Sequence, residues 1–261
     1  MSKIKYLGDL RWNGLGGPET QEAWSIPHRR KAPSVFLVDD LFQEGTEFSL
    51  AWDAQRIMAQ CPRHKFLLAT TNPGRMLEFC EWVLAEARSW APVAEIGTFV
   101  EKYSFPVNVY PTLVVCGQQE VDEKLPAFFR VPGCKILKIE GQNEEIDLWE
   151  AHGGFDQALK VEPHVFGVIL GGKSGGGALP IHPDWVRSAR DQCAVAETPF
   201  YFDQWGDWMH ESHNDFESSP GAALSNRNAM YNTWPDGTRS FRVGRDRAGR
   251  DLDGRVHGGL P

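Results

Sequence analysis

The residues best suited to chemistry stand where apolar runs stop. The run Val165–Leu170 ends in Gly171-Gly172-Lys173-Ser174-Gly175-Gly176-Gly177. Glycines after a strand expose backbone N–H groups that can cradle an anion, and a plain tight turn is the alternative. Gly167–Ser174 also spells G-x-x-x-x-G-K-S, the phosphate-loop pattern. Its context is wrong, because Gly167 lies inside the apolar run and Lys173 precedes further glycines and a proline rather than opening a helix. His182 lies between this loop and the next helical segment. It is the histidine best placed for acid–base work, with a structural hydrogen bond to the loop as the alternative.

Other run ends are also polar. Asp39 and Asp40 follow the first clear run, and Thr70, Thr71 and Asn72 the second. Cys116, Gln118 and Gln119 follow the third, Glu140 and Gln142 the fourth, and Asp203, Gln204 and Trp205 the last. Such a ring suits a small anionic or polar ligand. The expected catalytic groups are Lys173, Asp203, Glu140 and His182. The expected binding groups are Gly171, Gly172, Ser174, Gly175, Gln204, Trp205, Asp39 and Asn72. His210 and His213 form an H-x-x-H that a helix could turn into a metal site. The Ser, Asn and Asp around it favour a solvated loop, and no metal is expected.

These positions need elements to hold them. Strands are expected at Ser34–Val38, Lys65–Thr70, Thr112–Cys116, Lys135–Ile139, Val165–Leu170 and Phe200–Asp203, with a seventh near Leu10–Asn13. Most are continuous apolar runs, as in parallel strands buried on both faces. Helices are expected at Glu47–Gln60, Arg75–Trp90, Glu120–Arg130 and Asp184–Ala196, the last capped by Asp184. Alternation of the two implies right-handed βα units and a parallel sheet. The expected fold is α/β, a full or partial (β/α) barrel, with an open doubly wound sheet as the alternative. One domain is expected over 1–261. Within it, 207–261 should be a C-terminal loop (Asp207–Asn232) and an arm or hairpin (Phe241–Gly254). Strand C-terminal ends are where such sheets place their sites.

The whole chain sets bounds. It has 261 residues and a formal charge of −8, which argues against coating nucleic acid through net charge. The segment Asp236–Pro261 is different, with Arg239, Arg242, Arg245, Arg247, Arg250 and Arg255 giving it a local charge of about +2. It could contact nucleic acid, or form a salt-bridged edge. Cys61, Cys80, Cys116, Cys134 and Cys193 are scattered, without metal-ligand spacing. A cytoplasmic protein with free thiols, no leader and no membrane span is expected.

Gly171–Cys193, Pro199–Trp208, Asp39–Glu44 and Gly249–Arg255 together resemble a phage-associated family of unknown function. The resemblance runs in order over nearly the whole chain. It implies a barrel resembling the radical-SAM core, with three N-terminal cysteines holding an iron–sulfur cluster, and nucleotide or nucleic-acid modification. This chain departs from that pattern: Trp12-Asn13 leads into Gly-Leu-Gly-Gly-Pro with no cysteine before Cys61. An iron–sulfur cluster and S-adenosylmethionine are therefore not expected. The family resemblance also places an acid at Lys173 and a lysine at Asp203, so a charge pair of reversed polarity is expected between them. Two readings follow. One is a cluster-less enzyme acting on a nucleotide, modified base or small anion. The other is a non-catalytic phage protein binding a host or phage partner through its tryptophans and long loop.

Overall fold

The computed structural model describes residues 6–12, 25, 27–90, 104–148, 165–211 and 230–258. Seven strands form one sheet: β1 (Tyr6–Trp12), β2 (Val35–Val38), β3 (Lys65–Thr70), β4 (Val109–Val115), β5 (Lys135–Glu140), β6 (Val165–Gly171) and β7 (Phe200–Phe202). They hydrogen-bond in chain order, with β1 and β7 at the two ends. The registers β1–β2, β2–β3, β3–β4 and β6–β7 are parallel.

A strand order that never reverses is the winding of a barrel, whereas a doubly wound sheet reverses at a switch point. With no pairing between β1 and β7 among the described residues, the sheet is consistent with a partial (β/α) barrel. The strands form where the sequence is apolar and β-branched. Val35, Phe36, Val38, Phe66, Leu67 and Leu68 are all buried, as both-face coverage of a parallel sheet requires.

The helices are α1 (Phe48–Ala59), α2 (Pro73–Trp90), α3 (Gln118–Arg130), α4 (Pro183–Val195) and the single turn α5 (Arg245–Ala248). Asn72 starts α2: its Oδ1 accepts from the Arg75 N–H at 3.0 Å. The cap of α4 is His182 rather than Asp184, with His182 Nδ1 accepting from the Asp184 N–H at 3.2 Å. Pro183 fixes φ at the first helical position, where no N–H is needed.

The chain divides into two compact units. The first holds β1 to β3, most of β4, α1, α2 and most of α3. The second holds the C-terminal parts of β5 and β6, together with β7, α4 and everything after it. In that second unit, β8 (Trp208–His210), β9 (Tyr231–Thr233) and β10 (Arg239–Arg242) form a separate antiparallel sheet in the order β8-β10-β9. The expected loop therefore begins and ends in strands, and the hairpin is Tyr231–Arg242 instead of Phe241–Gly254. Positions 212–229 lie outside the described residues.

Candidate functional site

The second unit gathers charge at the ends of β5, β6 and β7. Lys138 and Glu140 are two apart on β5 and so share a face. Lys138 is 6% exposed, and its Nζ is bonded to Glu140 Oε2. Asp203 directly follows β7. Its N–H donates to Leu170 O at 2.8 Å, and its Cβ lies in the space that a Gly171 side chain would need.

Burial pushes the Asp203 carboxyl up to about 6. Lys138, Arg245 and Arg250 pull it down, Glu140 pushes it further up, and desolvation outweighs the cations. Arg245 Nε donates to Gln204 Oε1 at 2.6 Å. The Arg250 guanidinium lies 4.8 Å from the centre of the Tyr201 ring. Three cations and one carboxylate thus act on an acid whose carboxyl is pushed up to about 6.

The expected Lys173–Asp203 pair does not form: no ion pair joins them among the described residues. Lys173 instead lays its stem along Gly141, where its Cγ and Cδ fill the room for a side chain. The cations facing Asp203 come from β5 and from the arginine-rich arm. Lys138 sits between apolar residues of β5 and two residues before Glu140, which was its signal in the sequence. Nothing in the spacing of the arm marked Arg245 and Arg250.

The glycine loop is already tied down. Gly172 N–H donates to Gln204 O at 2.8 Å, and Gly175 N–H to Asp207 Oδ2 at 2.9 Å. Ser174 also hydrogen-bonds Asp207, which Arg242 contacts at 3.0 Å. The anion held by this loop is thus the chain's own Asp207, whose carboxyl these bonds hold below its usual range. Trp205 is buried, and its Nε1 donates to Asp251 O at 2.7 Å. Its ring packs edge to face against Phe202 and His210 and offers no exposed face to a ligand. Asp39 and Asn72 belong to the first unit.

His182 works elsewhere in the second unit. Its Nδ1 caps α4, so its proton sits on Nε2 and faces Asp236 Oδ2 at 3.1 Å. His182, Asp184 and Asp236 bring ligand atoms within 4.8 Å of one another. A metal at Nε2 would have to displace that proton while Nδ1 stays an acceptor, so the arrangement suits a capping hydrogen bond better than a cation. His210, of the H-x-x-H, is buried on β8 with its ring 4.5 Å from that of Trp205. His213 lies outside the described residues.

A family model described as a protein of unknown function, DUF5131, matches residues 13–261. The chain belongs to this family. No curated protein and no solved structure matches it. Cys61, Cys80 and Cys193 are buried, and burial pushes the Cys80 and Cys193 thiols up to about 12. Among the described indoles Trp205 and Trp208 are buried, with Trp208 Nε1 donating to Ala178 O at 2.8 Å, Trp185 and Trp234 pack edge to face at 5.1 Å, and Trp52 is exposed. No described helix is long and apolar enough to cross a membrane.

Proposed function

We propose that the strand ends of the second unit bind a small anionic substrate of the nucleotide or base class, and that Asp203 moves a proton on it. One observation carries this reading: a buried carboxyl at about 6, set among Lys138, Arg245 and Arg250. A general acid or base works best when its pKa lies near the working pH, and clustered cations attract an anion. Descent from a phage-associated, radical-SAM-like barrel forms part of the proposal. It is supported by the unreversed strand order. Four of the six arm arginines (Arg239, Arg242, Arg245 and Arg250) contact groups within the chain, which favours a small ligand over nucleic acid held by the arm.

Sulfate is the test probe, because its charge is constant from pH 5 to 8. Ionised Asp203 opposes an anion and neutral Asp203 does not. Sulfate affinity, measured by calorimetry, should fall several-fold between pH 5 and 7.5. In Asp203→Asn it should stay flat. An unchanged pH profile in that variant, or no sulfate binding at all, would sink the reading.

A further inference from the structure

Gln142 is left without a role by the acid–base chemistry of Asp203. It follows Gly141 at the end of β5, is 1% exposed, and has no hydrogen-bond partner at either Oε1 or Nε2. Native proteins rarely bury an amide with both groups unmet. Neighbouring groups are already committed: Gly141 N–H donates to Gly171 O, Asn143 N–H to Cys116 O, and Glu144 Oε1 accepts from the Gln118 N–H. The placement is also specific. Gln142 is two residues from Glu140, and it follows the glycine whose amide is bonded to Gly171, over which Asp203 lies.

The chemistry of an unmet amide narrows the ligand. It offers one N–H donor pair and one acceptor side by side. Phosphate and carboxylate supply no donor, and a metal ion supplies no acceptor. An edge carrying a donor beside an acceptor meets both groups at once, which is how glutamine reads a nucleobase.

We propose that Gln142 is the base-reading group of the strand-end site, pairing through both amide atoms with a nucleobase edge that sets a donor beside an acceptor. This rests on the anion-site reading of the Asp203 cluster and adds the identity of the ligand's uncharged part. Lys173 is the movable cover. Its exposed, flexible stem lies along Gly141 and can swing aside to admit the base.

The test uses uncharged nucleosides, so that the phosphate contributes nothing. Adenosine, guanosine, cytidine and uridine are each titrated calorimetrically into the full chain and into Gln142→Met. At least one should bind the wild type. The variant should bind it at least 10-fold more weakly, keep its sulfate affinity, and melt at a higher temperature, since an apolar chain replaces an unmet amide. Side-chain spectra of ¹⁵N-glutamine-labelled wild type give a readout that needs no variant: one NH₂ pair should move downfield as nucleoside saturates. If sulfate binds and no nucleoside does, the base-reading proposal falls and the anion site stands. It falls equally if Gln142→Met binds the nucleoside as the wild type does, or if no NH₂ pair moves. If neither probe binds, both readings fall.

Discussion

At the scale of single residues, Asp203 carries a stability signature separate from any ligand. Its carboxyl titrates at about 6 in the folded chain, against an ordinary value of 3.8. Between those values the folded state holds more protons than the unfolded state, so stability falls as pH rises from about 4 to 6. Above that window the ionised carboxylate is a burden. Asp203→Asn should therefore raise stability at pH 7 by about 2–3 kcal/mol and change little at pH 4. Urea denaturation at the two pH values checks this. A variant less stable at pH 7 would show that the carboxylate is an anchor for Lys138, Arg245 and Arg250. Asp203 and Glu140 were legible in the sequence because strand ends place polar groups together. Lys173 was misleading for a physical reason: charge complementarity between consecutive strand ends says nothing about where a long side chain runs once a glycine offers it a groove. Gly141 offers that groove here.

At the scale of elements, the loop after β6 and the segment after β7 are held together by two glycines at close backbone approach. A Cβ on Gly172 would lie 2.1 Å from Trp205 O, and a Cβ on Gly206 would lie 2.2 Å from Lys173 O. Gly206 also has φ +76°, which side-chained residues resist. Neither contact can relax through a flexible side chain, so the loop and the segment after β7 would have to separate. Gly172→Ala should cost at least about 3 kcal/mol, and Ala at the exposed Gly176, where a Cβ meets nothing, should cost little. Thermal melts of the two variants decide between them, and equal losses would refute the close-approach account. The strands themselves were readable, because runs such as V-F-G-V-I-L at Val165–Leu170 are continuous and apolar, and the burial of such runs needs no tertiary knowledge. The cap of α4 was not readable. Asp184 is the better capping residue by type, yet Pro183 occupies the first helical position and leaves the cap to His182.

At the scale of the molecule, the arginine-rich arm completes the second unit, and its composition alone hid this. Interleaved Arg and Asp read first as a salt-bridged, solvated edge, with a nucleic-acid arm as the alternative. The chain folds it back along β7. Phe202 N–H donates to His257 O at 3.1 Å, Trp205 N–H to Gly249 O at 3.1 Å, and Trp205 Nε1 to Asp251 O. Asp253 bridges Arg187 and Arg190 of α4 at 2.8 and 2.7 Å, and those bonds bring its carboxyl down to about 2. The bridge adds stability above pH 4 that is lost as pH falls toward 2. With Asp253 substantially exposed, that contribution is about 1 kcal/mol or less. Removing residues 245–261 does something different in kind. It takes away the carbonyl partners of β7 and Trp205, strips Arg245 and Arg250 from Asp203, and leaves β7 as a bare edge strand open to pairing with other chains. The truncated chain should lose the near-ultraviolet dichroism of buried Trp205 and elute as aggregate on size exclusion, while Asp253→Asn keeps the native spectrum and a single monodisperse peak. A truncated chain with native dichroism and the wild-type sulfate affinity would show that the arm is dispensable to the unit and to the charge cluster it borders.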